Sequence, residues 1–210
     1  MGLRAVVFDY GMVLSGPPDP VAHANLLRIT GLSSSRLDSF YWADRPAYDE
    51  GKLTGLAYWQ RIARQAGLEL SQSDLEELIL WDARLWPTQN DAMLAWQQQL
   101  KLRGFLTAIL SNMCDNVLEN MMREFDWLSR FDVLVWSFQL KMAKPDPDIY
   151  RHVLKELGTR PEETLFLDDR PVNVEAANAL GFKGLTFTNV DQLRTDLIAQ
   201  GLEGVVPLPA

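Results

Sequence analysis

Six side chains in this sequence have the types and positions to do chemistry together. Asp9 closes the apolar run at 4–9, RAVVFD. Ser111 and Asn112 follow the run at 105–110, FLTAIL. Lys144 stands before Pro145, in the loop after FDVLVWSF at 131–138. Asp168 and Asp169 follow TLFL at 164–167. They comprise a candidate nucleophile, a hydroxyl with an amide, a cation and an acidic pair. Each alone has an ordinary structural reading: a helix cap, a Ser-Asn turn, a surface lysine. Their significance is positional. All of them sit at the carboxyl ends of predicted strands, where open α/β sheets bind ligands.

The elements that must position them follow from the same pattern. Short apolar runs at 4–9, 105–110, 131–138, 164–167 and 184–187 suit strands buried on both faces. Helical segments are predicted at 90–103, 116–125, 147–157, 172–180 and 190–199. Asp146 serves as an N-cap for one, and Gly104, Gly158 and Gly181 serve as stops. Strands alternating with helices imply an α/β fold: a Rossmann-like, doubly wound parallel sheet. Residues 16–86 differ. They hold no good strand run and read as four amphipathic helices, at 20–29, 34–48, 53–66 and 71–85. GPPDP at 16–20 and Pro87 punctuate the two ends. The expected organisation is therefore an α/β core from 1–15 and 87–210, with a helical insertion at 16–86.

Composition narrows the partners. The 210 residues are 47% hydrophobic and 23% charged, an ordinary globular mix. The net charge of −8 argues against nonspecific nucleic-acid binding and against a polybasic membrane patch. No apolar run approaches the roughly 20 residues of a membrane span, and the N-terminus lacks the form of a secretory signal. One cysteine, Cys114, excludes an internal disulfide, and two histidines, His23 and His152, argue against a His-rich metal site. A cytoplasmic protein, monomeric or homodimeric, is expected.

Four stretches together resemble the haloacid dehalogenase-like hydrolase superfamily. FDYGMVL at 8–14 resembles its first motif, usually DxDGT or DxDGV, and LSN at 110–112 its second. KPDPDIY at 144–150 resembles the third, and FLDDRPVNVEAANALG at 166–181 the fourth. The helical insertion lies where this superfamily places its cap. The subfamily with a small helical cap, which includes sugar-phosphate phosphatases and the phosphatase domain of soluble epoxide hydrolases, is most similar. The resemblance implies a Mg²⁺-dependent phosphatase for a small phosphorylated metabolite, with Asp9 forming an aspartyl phosphate. It implies that Ser111, Asn112 and Lys144 bind the phosphoryl group. Asp9, the backbone carbonyl of Gly11 and Asp169 would hold Mg²⁺, and Asp168 and Asn173 would stand behind them.

One departure matters. The family's second aspartate, the general acid and base, is here Gly11. General acid–base help is worth roughly 10²–10⁴-fold. Two other readings stay open on that account: a 2-haloacid dehalogenase, and a noncatalytic phospholigand-binding module. A phosphonatase would need a lysine in the insertion, and Lys52 is its only one. Lys141 replaces a small residue and leaves the shape of its loop open. The insertion is rich in aromatics, including Tyr41, Trp42, Tyr48, Tyr58 and Trp59, which at helical spacing read first as core. Asp44, Arg45 and Lys52 read first as a solvated face. His23 is a candidate proton donor by position, and Cys114 reads as an inert thiol.

Overall fold

Five strands form one all-parallel sheet in the order β3-β2-β1-β4-β5, in a computed structural model that describes residues 2–210. They are β1 (Ala5–Phe8), β2 (Leu106–Ser111), β3 (Val133–Trp136), β4 (Thr164–Asp168) and β5 (Lys183–Thr186). The expected doubly wound α/β sheet is what forms. Strand side chains alternate between the two faces, and both faces are covered. Ala5 and Val7 of β1 point into one core with Ala108, Leu110 and Phe166. Val6 and Phe8 point into the other with Ile109, Leu165 and Leu167.

Helices supply the two lids. Against the first face lie α8 (Pro147–Leu157), through Ile149, Tyr150 and Val153, and α9 (Pro171–Ala179), through Val174 and Ala177. Against the second lie α5 (Asp91–Leu102), α6 (Asp115–Glu124) and α10 (Val190–Ala199). Asp146 caps α8 by accepting the Asp148 N–H at 2.9 Å, and Gly158 ends it at φ +64°. The C-terminal segment packs down: Val206 is buried, and the Pro207 carbonyl accepts the Trp96 indole N–H at 2.6 Å.

Strand register places the chemistry. Phe8 aligns with Ile109 on one side and Leu167 on the other. The Asp9 N–H donates to the Leu167 carbonyl at 2.8 Å. Asp9 and Asp168 therefore leave the sheet side by side. β3 is shorter than the run at 131–138 predicts. It stops at Trp136 and the chain turns into α7 (Ser137–Leu140). The cause is Ser137, whose hydroxyl accepts the Met113 N–H at 2.8 Å and donates to the Asp49 carbonyl.

Between β1 and α5 the chain makes four helices: α1 (Pro20–Thr30), α2 (Ser34–Asp49), α3 (Gly55–Ala66) and α4 (Gln72–Ala83). Pro20 and the Asp19 cap start α1, and a Ser71–Asp74 capping box starts α4. Tyr41, Tyr48, Tyr58 and Trp59 are buried among them, which is the packing role their spacing suggests, whereas Trp42 is exposed and not part of that core. The two connections to the sheet are tied to each other. Gly16 N–H donates to the Thr88 carbonyl at 2.9 Å, Asp19 N–H to Leu85 at 2.8 Å, and Asn90 N–H to Leu14 at 2.9 Å. A Cβ on Gly16 would stand 2.9 Å from the Thr88 methyl carbon, so glycine allows this close approach. No helix is long and apolar enough to cross a membrane, among the described residues.

Candidate active site

A cleft of about 150 Å³ opens between the carboxyl edge of the sheet and the helical insertion. Asp9, Gly11, Ser111, Asn112, Lys144 and Asp169 line its floor. Six residues brought together from four separate segments thus meet at one place.

Asp9 follows β1 and is 7% exposed. Its Oδ1 accepts the Tyr10 N–H at 2.7 Å and stands 2.9 Å from Lys144 Nζ. Its Oδ2 makes no hydrogen bond among the described residues. Burial pushes the Asp9 carboxyl up to about 7, against the opposing pull of the Lys144 charge and with Asp168 adding to the rise. The chain then makes one wide turn, Tyr10–Leu14, closed by the Ser15 N–H on the Tyr10 carbonyl at 2.8 Å. Met12 within it takes φ +58°. Gly11 sits at φ −58°, ψ 129°, a conformation open to any residue, and nothing lies within 4 Å of a Cβ built on it.

Lys144 is held from both ends. Asn112 grips its backbone, accepting the Lys144 N–H at 2.8 Å and donating to the Lys144 carbonyl at 2.8 Å. The Asn112 side chain thereby places Lys144 while it also lines the cleft. Lys144 Nζ lies 2.6 Å from Asp168 Oδ2. The two carboxylates hold the ammonium charged, raising it against the penalty of burial. Ser111 ends β2, is 2% exposed, and its hydroxyl has no protein partner among the described residues.

The acidic pair divides. Asp168 is fully buried and both its oxygens are occupied. Oδ2 takes Lys144, Oδ1 takes the Arg170 N–H at 2.8 Å, and Asn173 Nδ2 reaches both at 3.0 Å. Asp169 is half-buried, lines the cleft and makes no side-chain hydrogen bond or ion pair to another residue among the described residues. Burial and the neighbouring Asp168 raise its carboxyl above the usual range. Carboxylate oxygens of Asp9, Asp168 and Asp169 lie within 4.8 Å of one another. Asn173 Oδ1 is buried without a partner.

The insertion contributes a wall that the sequence reading assigned to solvent. Asp44 and Arg45 are buried, not exposed. The reason is the stripe Leu37, Tyr41, Arg45, Tyr48 on the inner face of α2. Arg45 Nε pairs with Asp49 Oδ1 at 2.7 Å, and its guanidinium lies over the rings of Tyr41 and Tyr48 at 5.1 and 5.5 Å. Both Arg45 and Asp49 line the cleft. Burial raises the Asp49 carboxyl, while Arg45 and Arg170 oppose the rise. Asp49 was absent from the sequence reading. Its only advance signal was an Arg–Asp pair four residues apart, astride that aromatic stripe.

Other candidates fall elsewhere. His23 lines a neighbouring pocket rather than the cleft. Lys52 is exposed and pairs with Glu50, so no lysine of the insertion reaches the floor. His152 is half-buried on α8. Lys141, at φ +58°, reaches across to the Gly51 carbonyl at 2.7 Å and ties the insertion to the core. Asn116 Nδ2 adds a 2.8 Å bond to the Tyr48 hydroxyl.

A sheet-edge crevice with a carboxylate, a buried lysine and an acidic pair defines an α/β enzyme of the hydrolase type. The chain belongs to the haloacid dehalogenase-like (HAD) hydrolase family, whose profile matches residues 20–181. It is 36% identical over 210 residues to a sesquiterpene phosphatase of Aspergillus oryzae, covering 96% of this chain and 97% of that one. It is 30% identical over 201 residues to an (S)-2-haloacid dehalogenase of a Pseudomonas strain, covering 90% and 86%. A chloroplast flavin mononucleotide hydrolase of Arabidopsis thaliana matches at 38% over 95 residues, covering 44% of this chain and 36% of that one. The chain likewise spans 36% of a rat bifunctional epoxide hydrolase. A HAD family enzyme of Bacteroides thetaiotaomicron has the same fold, with TM-score 0.74 at 22% identity over 90% of this chain and 95% of that one.

Proposed function

We propose that this hydrolase is a Mg²⁺-dependent phosphatase acting on a small phosphorylated metabolite through an aspartyl phosphate on Asp9. One observation carries the reading. Asp169 is a cleft-lining carboxylate, raised by burial and by its acidic neighbour, within 4.8 Å of the Asp9 and Asp168 carboxylates, and the Lys144 counter-charge of Asp9 is already shared with Asp168. Such a floor repels an anionic substrate unless a cation joins it. The similarity to a sesquiterpene phosphatase over nearly the whole chain supports the same reading.

The donors fit a hard divalent cation: a free Asp9 Oδ2, a free Asp169 carboxylate and the backbone at Gly11 are all oxygen. Asp168, with both oxygens occupied, stands behind them. Bound there, Mg²⁺ would neutralise phosphate charge and orient the phosphoryl group.

The chain's own groups divide the rest. Asp9 Oδ2 attacks phosphorus, the Asp9–phosphorus bond forms, and the bond to the leaving oxygen breaks. Lys144 Nζ and the free Ser111 hydroxyl hold the phosphoryl oxygens. Gly11 cannot supply the proton that the leaving oxygen needs. Asp49, from the insertion, is the cleft-lining carboxyl placed to give it, and it keeps one oxygen free of hydrogen bonds. Water then attacks phosphorus, its proton passes to Asp49, and phosphate leaves with Asp9 restored. In this reading residues 16–86 act as a cap over the core formed by 1–15 and 87–210.

The dehalogenase relative gives the same aspartate a second reading, attack on carbon with halide leaving. A parallel assay separates the two. Phosphate release from phosphate esters, without halide release from 2-chloropropionate, is expected. Halide release in the presence of a chelator, without phosphatase activity, would reverse the assignment.

A further inference from the structure

A second pocket, of about 470 Å³, adjoins the cleft and shares two of its walls, Trp42 and Trp86. It lies between α1, α2 and the returning connection at 85–86, and its body is Leu26, Leu37, Tyr41 and Leu85. The catalytic cleft, at about 150 Å³, is smaller than the roughly 300–1,000 Å³ of a site that engulfs a whole small molecule. The second pocket falls within that range. The cleft thus suits the phosphoryl end of a substrate, and the larger space for its body is next door.

The chemistry of that space is apolar. The Tyr41 hydroxyl is spent on Asp82 at 2.7 Å, and the Trp86 carbonyl is taken by the Tyr10 hydroxyl at 2.6 Å. What these residues offer is mostly ring and aliphatic surface, with His23, Ser34 and Asp38 as the polar members of the lining. Among the described residues no lysine or arginine lines the pocket, and Asp38 disfavours a second anionic group. Trp42 is 54% exposed at the junction, and Met12 on the cleft side is 40% exposed. Two large apolar side chains left to water beside a catalytic floor are unlike scattered surface residues.

We propose that the substrate is an amphipathic phosphate monoester, with its phosphoryl group over Asp9 and its apolar body running past Trp42 into the pocket between α1 and α2. The proposal rests on the phosphatase reading. It adds that an apolar tail, rather than a sugar or nucleotide, sets specificity. Trp42 is the gatepost between head and tail.

Binding of n-alkylphosphonates of two to eight carbons to the Mg²⁺-loaded parent protein tests this without turnover, because their C–P bond is not the bond a phosphatase breaks. Calorimetry should show affinity rising about fourfold per methylene, the value of one buried CH₂, starting from that of inorganic phosphate. Trp42→Ala, at an exposed position, should reduce the slope. Ser34→Trp, at the exposed pocket rim, should cut the rise short at the length where the tail meets the plug. A flat series, an unchanged slope in both variants, or tighter binding of a sugar phosphonate than of octylphosphonate would overturn the proposal. Aryl phosphate hydrolysis by the same preparation reads the phosphatase chemistry separately. Turnover with a flat series sinks the tail pocket alone, and a rising series without turnover sinks the phosphatase reading alone.

Discussion

Lys144 Nζ stands 2.6 Å from Asp168 Oδ2, and neither side chain is more than 1% exposed. The same ammonium lies 2.9 Å from Asp9 Oδ1, so one buried cation serves two buried carboxylates. Charge counting makes the partners unequal. Lys144→Met leaves both acids without a counter-ion, and removing one partner of a buried pair costs about 3–5 kcal/mol. Asp168→Asn leaves a balanced Lys144–Asp9 pair and should cost distinctly less. Urea denaturation of the two variants without metal should rank them in that order. Added Mg²⁺ should recover part of the Lys144→Met loss, because it binds only the folded site. Equal losses in the two variants would contradict the charge account.

Gly11 is not required by the backbone. Its φ is −58° and a Cβ there meets nothing within 4 Å. Gly11→Asp should therefore fold normally and place a carboxyl beside the nucleophile. Turnover of alkyl phosphates, whose leaving oxygen needs a proton, is expected to rise by about tenfold, less than the roughly 10²–10⁴-fold of full acid–base help because Asp49 already supplies part of it. Aryl phosphate turnover should change little. A uniform loss on both substrates would show that the glycine is needed for shape.

Asp49 should show the complementary pattern. If it gives the leaving oxygen its proton, Asp49→Asn lowers kcat on an alkyl phosphate by about 10²-fold and leaves an activated aryl phosphate nearly untouched. Asparagine keeps the acceptor for Arg45 Nε, so the wall itself is preserved. Equal loss on both substrates would assign Asp49 to holding the insertion in place.

Cys114 is buried, and burial pushes its thiol up to about 12, although the Arg45 charge opposes the rise. At pH 8 the thiolate is then about one part in ten thousand. Native protein should resist iodoacetamide at that pH and react fully in urea. Rapid labelling of the folded protein would contradict the buried placement.

The sheet and its candidate rim were legible in the sequence because buried parallel strands are continuous apolar runs that end abruptly in polar residues. Asp9, Ser111, Lys144, Asp168 and Asp169 each follow or close such a run. The division of labour within the acidic pair came from the family resemblance alone, which put Asp169 forward and Asp168 behind it. Strand pattern does not encode the side-chain partners, here Asn173 and the Arg170 N–H, that hold Asp168 back. The cap wall was harder still. Arg45 read as a solvated residue by charge and Asp49 carried no signal of its own, and the tertiary packing of α2, against Asp82, Cys114 and Ser137, buries them. The Asn112 grip on the Lys144 backbone likewise follows from a loop approach, between the end of β2 and Lys144, that no local rule predicts.

Hydrolysis of an aryl phosphate by the parent and by Asp9→Asn, each with Mg²⁺ and with chelator, tests the central claim most directly. Its leaving group needs little protonation, so Gly11 cannot hide the chemistry. The account predicts turnover by the parent with Mg²⁺, loss of it with chelator, and loss in Asp9→Asn under both conditions while the fold is kept. Turnover that survives in folded Asp9→Asn, or that is indifferent to the metal, would contradict it.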